Sequence, residues 1–448
     1  MRLIIENAHV VTVSGEEYPR GHVVVDGDRI TAVGAGPAPA GAAARVDGTG
    51  CLATPGLVNT HHHLYQWASQ GMATDSTLFE WLTTLYRPWS MMDAEVVAGA
   101  ATAGLAWLAK SGCTTSTDHH YLFPKGRGDL FAALVESARE IGLRFHPCRG
   151  SMDRGASQGG LPPDEVVEDL DTILAETEAA IDRYHDPSPG SMLRVAVAPC
   201  SPFSVTRELL VESARLARDK GVRLHTHLAE TLDEEEHTTE QFGMTPTEYM
   251  DSIGWLGPDV WLAHCVHLHD TDIKRLAETG TGTAHCPSSN APRLRDRPRV
   301  APAGGGRDRR ARRGRLGVGG ARPAGGGAAA GRLHAARPVR AAALTARQAL
   351  EMATLGGARC LGREDEIGSL EPGKLADIAL WRMDGFQAAI DDPVVAFAFG
   401  PTPPLRRLLV GGRTVVDGDT LVTVPQDEAG RRGAAAHRRL MRSAEEVL

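Results

Sequence analysis

Apolar and polar positions change their rhythm twice along the chain. Near the start they come in short runs, Leu3 to Val13, Gly21 to Val25 and Ile30 to Val33, with the turn Asp26-Gly27-Asp28 between the last two and no helical period. The same texture returns in Ala376 to Trp381, Leu405 to Val410, Thr414 to Val416 and Leu421 to Val424, with Gly411-Gly412 as a turn. Two β-rich ends around a different middle predict a small β-sandwich domain built from both termini, residues 1–52 and 366–425. The tail, 426–448, is rich in Arg and Ala and reads as a surface helix or a frayed end.

In the middle, strand-like and helix-like runs alternate. The apolar run Leu52 to Val58 is the first strand. Cys113 to Asp118 precedes a helix over Asp129 to Ile141. Leu143 to Arg149 leads through a Gly-rich loop to a helix over Asp164 to Tyr184, and Leu193 to Ala198 precedes one over Arg207 to Lys220. Val222 to His227 precedes a Glu-rich helical stretch, Val260 to His264 precedes Thr271 to Thr279, and Gly282 to Cys286 follows. This alternation predicts an α/β fold, a (β/α)8 TIM-like barrel over residues 53–365, in which strand C-termini converge on one mouth.

The rhythm fails in one segment. Between Pro292 and Ala341 there is no Lys, Phe, Ile, Tyr or Trp, and the acids are Asp296 and Asp308 alone. So polar and Gly-rich a segment cannot bury a strand or an amphipathic helix, so the last barrel strand is expected to be missing and two sheet edges to be left open.

Composition narrows the class. The 448 residues carry a net charge of -8, from 48 Lys and Arg against 56 Asp and Glu, which gives no general pull toward nucleic acid or anionic membrane. No apolar run is long enough to span a bilayer, and the start lacks the features of a signal peptide. Seven scattered cysteines with no C-x-x-C pair argue against a disulfide framework and for a reducing cytoplasm.

Candidate chemistry sits at the predicted strand ends. In Asn59-Thr60-His61-His62-His63 the alternation of a strand puts His61 and His63 on one face, a ready half-site for a metal. His227, with Glu230 three residues later, ends another strand; His264 and His285 end the next two. Any one of these is an ordinary structural histidine by default. The conjunction of His61, His63, His227 and His264 at successive strand ends is the signal.

These pieces resemble the amidohydrolase superfamily, in its cytosine-deaminase-like and chlorohydrolase-like branch. The resemblance rests on Pro55-Gly56-Leu57-Val58-Asn59-Thr60-His61-His62-His63, His227-Leu228-Ala229-Glu230, Ala263-His264-Cys265-Val266-His267, His285-Cys286-Pro287-Ser288-Ser289-Asn290 and the closing Gly368 to Asp377. Within the branch the chain is most similar to the 8-oxoguanine deaminases, through His62 to Gln66, Asp118-His119-His120-Tyr121-Leu122-Phe123-Pro124, Arg149 to Met152 and Gly159 to Asp164. The resemblance implies one divalent metal, zinc first and Fe2+ as the alternative, held by His61, His63, His227 and an aspartate after the last barrel strand. It implies that water made nucleophilic there attacks an electron-poor ring carbon, that Glu230 protonates the adjacent ring nitrogen and that His264 orients the attacking oxygen. Gln66 and Arg149 carry donors suited to a purine's carbonyl edges and are the candidate substrate contacts; alternatively Gln66 solvates its loop and Arg149 pairs with Asp118 or Asp153. The expected partner is a purine-like small molecule, with 8-oxoguanine giving urate and ammonia, and neither nucleic acid nor membrane; a homo-oligomer stays open.

The aspartate is where this chain departs from the pattern. A reading frame shifted by one base over Ala311 to Gly319 permits Leu-Gly-Val-Asp-Gly-Ser-Ala-Ser, which is family-like, and the match resumes at Leu344. A frameshift therefore reads better than a natural Arg/Gly-rich insertion. The chain as written is expected to have little or no deaminase activity.

Overall fold

A computed structural model describes residues 2–290, 316–318 and 345–445. Eight strands, β6 (Leu57–Asn59), β7 (Cys113–His120), β8 (Arg144–Ser151), β9 (Ala196–Pro199), β10 (Arg223–Leu228), β11 (Val260–His264), β12 (Gly282–His285) and β13 (Leu316–Val318), form a curled parallel sheet that closes on itself. The ring closes where β13 bonds β12 on one side and Asn59 of β6 on the other, both in parallel.

The expectation that no strand follows Asn290 is thereby corrected. Three residues are too short to show an alternation, and Leu316-Gly317-Val318 sits among glycines and arginines, so no periodicity marks it. Two formed neighbours supply the register that its own sequence does not. Asp296 and Asp308 lie outside the described residues.

The other sheet has nine strands and draws on both ends of the chain. β1 (Arg2–Val11), β2 (Glu17–Asp26), β3 (Arg29–Ala35), β4 (Ala44–Asp47) and β5 (Cys51–Pro55) come from the N-terminal side. β14 (Ile378–Arg382), β15 (Leu405–Val410), β16 (Arg413–Asp417) and β17 (Thr420–Leu421) come from the C-terminal side. They bond as one continuous sheet, with β5 pairing antiparallel to β14 at the seam.

The run Leu52 to Val58, read as one strand, serves both sheets. β5 belongs to the terminal sheet and β6 to the barrel, with Gly56 between them. A Cβ on Gly56 would lie 2.2 Å from the Thr114 side chain, so only glycine lets the chain pass this close to β7. The break is steric, and a hydropathy pattern does not register it.

The anticipated barrel helices form close to where periodicity placed them. Examples are α3 (Leu130–Ile141), capped by the Asp129 side chain, and α5 (Arg207–Asp219), capped by Thr206. Two earlier helices were not anticipated, α1 (Leu78–Trp89) and α2 (Ala94–Lys110). Their start signals are nonetheless in the sequence: Thr77 and Glu80 make a capping box, and the Asp93 carboxylate accepts from Val96 N. The tail from Gln426 to Glu445 is a helix whose buried face, Ala429, Ala436, Leu440 and Ala444, includes small residues, and it packs on α2.

One buried ion pair ties the sheets together. Arg144 of β8 donates through Nε and Nη2 to Asp377, just before β14, at 3.1 and 3.0 Å, and through Nη1 to the carbonyls of Gly190 and Ser191. Asp377 also accepts from Gly411 N at 2.7 Å. Both side chains are almost wholly out of water. Removing one partner strands the other charge, so Asp377→Ala is expected to cost about 3–5 kcal/mol of stability in urea unfolding. A loss under about 1 kcal/mol, the scale of an exposed pair, would contradict this account.

Candidate metal centre

Short β6 ends at Asn59 and the chain runs on without regular structure through Thr60 to His63 before a 3-10 helix, Leu64–Ser69. His61 and His63 meet with ring centroids 4.7 Å apart, while His62 turns away and its Nε2 accepts from Trp67 Nε1. The loop is fixed by Asp118, buried on β7, whose carboxylate accepts from Leu64 N at 2.6 Å. Burial pushes the Asp118 carboxyl up to about 8, against the pull of that hydrogen bond.

One nitrogen from each of His61, His63, His119 and His227 lies within 4.8 Å of the corresponding atom of the others. The tautomers follow from the partners of the remaining nitrogens. His63 Nδ1 is 2.6 Å from the carbonyl of His119, and His227 Nδ1 is 2.6 Å from that of Cys200. A carbonyl only accepts, so these neutral rings carry their proton on Nδ1 and leave Nε2 bare. His225 donates through Nδ1 to the Trp261 carbonyl at 2.8 Å, so its Nε2 accepts from His61 Nδ1 at 2.9 Å, and His61 Nε2 is bare in turn.

The consequence is an unsatisfied cluster. His63 Nε2 and His227 Nε2 stand 3.1 Å apart as two lone pairs, and His61 Nε2 is buried with no hydrogen-bond partner. Protonation offers little relief: burial first, then the neighbouring imidazoles, holds His61 and His227 well below the ordinary range, and burial lowers His63 to about 3. Converging bare imidazole nitrogens in a buried site fit a divalent metal, which binds neutral imidazole.

Glu230 and His264 stand beside this cluster, with Glu230 Oε1 3.4 Å from His264 Nδ1. Ala229, His264 and Cys265 all adopt positive φ, an unusual conformation for side-chain-bearing residues that the surrounding hydrogen bonds enforce. Glu234, fully buried near the start of α6 (Leu232–Phe242), accepts from the backbone N–H groups of Ala229 and Glu230 and so holds this loop. Burial pushes the Glu234 carboxyl up to about 8.

A cavity opens over the cluster. Its walls include His61, His63, His227, Glu230, His264 and Gln66, with an apolar side from Leu78, Trp81 and Leu82 of α1 and Phe203. Of the residues singled out in the sequence, Arg149 and His285 lie apart from this wall. The Arg149 guanidinium is buried, bidentate with Glu168 at 2.8 and 3.0 Å, and stacked 3.6 Å over the Phe123 ring. The structure thus does not bring Arg149 together with the other candidates: an internal carboxylate occupies its fork. Neither Asp118 nor Asp153 is that partner.

Sequence reasoning did not single out His119, His225 or the α1 wall. His119 had a signal, since it lies one residue from the end of a strand, which reaches His120 where Asp118 was the expected limit.

Residues 52–415 match the model of the Amidohydrolase family. The chain is 42% identical to 8-oxoguanine deaminase of Pseudomonas aeruginosa, over 91% of this chain and 92% of that one. It is 34% identical to an isoxanthopterin deaminase of an unknown prokaryotic organism, over 98% and 97%. Among solved structures, atrazine chlorohydrolase of Arthrobacter aurescens, complexed with zinc, superposes with a TM-score of 0.87 at 30% identity, covering 97% of this chain and 100% of that one. The chain belongs to the amidohydrolase family. Within it, the chain is an enzyme of the hydrolytic deaminase type. Among the described residues, no helix is long and apolar enough to cross a membrane.

The cluster also sets a pH dependence. Burial lowers both His63 and His225 to about 3 from an ordinary 6.5, so below 6.5 the unfolded chain takes up protons that the folded chain refuses. Stability then falls as pH falls through that window. In chelator-treated protein, the free energy of unfolding in urea is expected to be lower by at least about 1 kcal/mol near pH 5.5 than near pH 7.5. A stability that stays flat or rises on acidification would count against neutral, buried rings.

Proposed function

We propose that this site hydrolytically deaminates a purine-like heterocycle, 8-oxoguanine in preference to isoxanthopterin, guanine or an aminotriazine, and releases urate and ammonia. The observation that carries the reading is the convergence of bare imidazole nitrogens from His61, His63 and His227 beside Glu230 and His264, under a cavity with an apolar wall. The similarity to an 8-oxoguanine deaminase supports the substrate. Chemistry is assigned to residues 53–365, with the segments 1–52 and 366–425 as its support. Seven free cysteines support a reducing cytoplasm.

His61, His63 and His227 would hold the cation, zinc by preference and Fe2+ as the alternative. When bound, it supplies the Lewis acidity that makes hydroxide available from water near neutral pH. Trp81 and Phe203 offer flat apolar surface to a heteroaromatic ring, and the Gln66 amide offers one donor and one acceptor to its polar edge. Glu230 delivers a proton to the ring nitrogen next to the carbon under attack, so that negative charge does not build up on the ring. His264 orients the incoming oxygen. The bond from carbon to the exocyclic amine then breaks, that nitrogen takes up the proton of the added hydroxyl and leaves as ammonia, and a carbonyl remains in its place.

A second reading, an amidohydrolase whose turnover is impaired, is favoured by one observation. β13 ends at Val318 and the next residues are Gly319 and Gly320; no Asp or Glu occurs between Asp308 and Glu351. The stretch directly after the eighth strand thus offers the attacking water no carboxylate to take its proton. With zinc supplied, turnover of 8-oxoguanine is expected to be low in the chain as it stands and to rise by about 100-fold or more in Gly319→Asp, within the 10²–10⁴-fold that a positioned acid or base contributes. Equal turnover by both chains would refute the impairment. In the Gly319→Asp background, Glu230→Gln is expected to lower kcat by about 10²–10⁴-fold for 8-oxoguanine. If another heterocycle were turned over faster, the substrate assignment would fail while the chemistry stood.

A further inference from the structure

We propose that His119 is a fourth imidazole donor to the metal centre, through Nδ1, in place of the carboxylate that this chain lacks after its eighth strand. The proposal rests on the metal-dependent reading above and extends it to a residue on β7.

His119 is fully buried. Its Nε2 lies 2.9 Å from the carbonyl of Ala198 on β9, which can only accept, so the ring proton sits on Nε2 and Nδ1 is a bare lone pair. That Nδ1 is buried and has no hydrogen-bond partner. An acceptor left so in the interior has lost its water without gaining a hydrogen bond, a penalty that coordination to a cation would remove. The ring stands in the same four-histidine set as His61, His63 and His227, with its centroid 4.6 Å from that of His227. Its carbonyl also fixes His63 Nδ1, so one residue of β7 both orients a neighbouring donor and presents one of its own.

Two donors about 2.1 Å from a shared ion are at most about 4.2 Å apart, so rings now within 4.8 Å need only small adjustments. Four protein donors make the closed type of zinc site, whereas catalytic sites keep a position open. A site completed by His119 would therefore retain metal well while turning over slowly, which matches the impairment expected from the missing carboxylate. The rival donor is Cys286, which forms a set with His61 and His264. Its thiol already has an acceptor in the Ala284 carbonyl at 3.4 Å, and it stands outside the set formed by His61, His63, His119 and His227.

X-ray absorption on the zinc-loaded full chain tests this without altering a residue. The expected first shell is nitrogen at about 2.0–2.1 Å with outer-shell scattering from four imidazoles. Three imidazoles, or sulfur at about 2.3 Å, would overturn the proposal. In parallel, zinc affinity is measured by competition with a chromophoric chelator for the unaltered chain and His119→Gln. The dissociation constant is expected to rise more than about 100-fold, beyond the 10–100-fold lost with a merely supporting partner. A smaller rise makes His119 a positioning residue and refutes the proposal. If the unaltered chain binds no zinc, the metal-dependent reading falls along with it; if it binds zinc through three imidazoles, this proposal alone falls.

Discussion

The constraint on which the site depends is a one-sided satisfaction of buried imidazoles. Each ring of the cluster has one nitrogen tied outward, to a carbonyl or, for His61, to His225, so the other nitrogen has no proton to give and faces its equals. Neutral rings held in this way repel weakly as lone pairs and accept a cation strongly. The outward ties belong to the neighbouring strands: β7 holds His63, β9 and the residue after it hold His119 and His227, and β11 holds His225. The barrel therefore acts as a jig for tautomers, and closing it is a condition of the chemistry as much as of stability.

This puts weight on the strands that make the ring complete. β13 is three residues long, and β6 pairs with it through a single register position. β6 in turn is separated from β5 only by Gly56, so the strand that carries His61 and His63 to the mouth is anchored directly to the terminal sheet. The Arg144 and Asp377 pair makes a second such tie between the two sheets. On this view the terminal sheet sets the height at which His61 and His63 enter the barrel.

The sequence was most informative where chemistry and periodicity coincide. Alternation put His61 and His63 on one face, and strand ends placed His227, Glu230 and His264, because each of these follows a recognisable apolar run. Gln66 was legible as a neighbour of that motif and does line the cavity. What stayed hidden depends on partners distant in the chain. His225 lies inside its strand and takes its role from Trp261 and His61; Arg149 looked available because nothing local reveals Glu168. The division at Gly56 is a matter of the Thr114 side chain, and β13 has too few residues to show a period at all. The wall supplied by α1 was marked by its capping box, but its contact with the cavity comes from tertiary placement.

The central claim is that these imidazoles gather to hold one cation. The most direct test is an anomalous difference map at the zinc edge from crystals of the full chain grown with zinc. The account predicts one strong peak about 2.0–2.1 Å from the free nitrogens of His61, His63 and His227. No peak there, with the rings hydrogen-bonded to one another or to water instead, would contradict it.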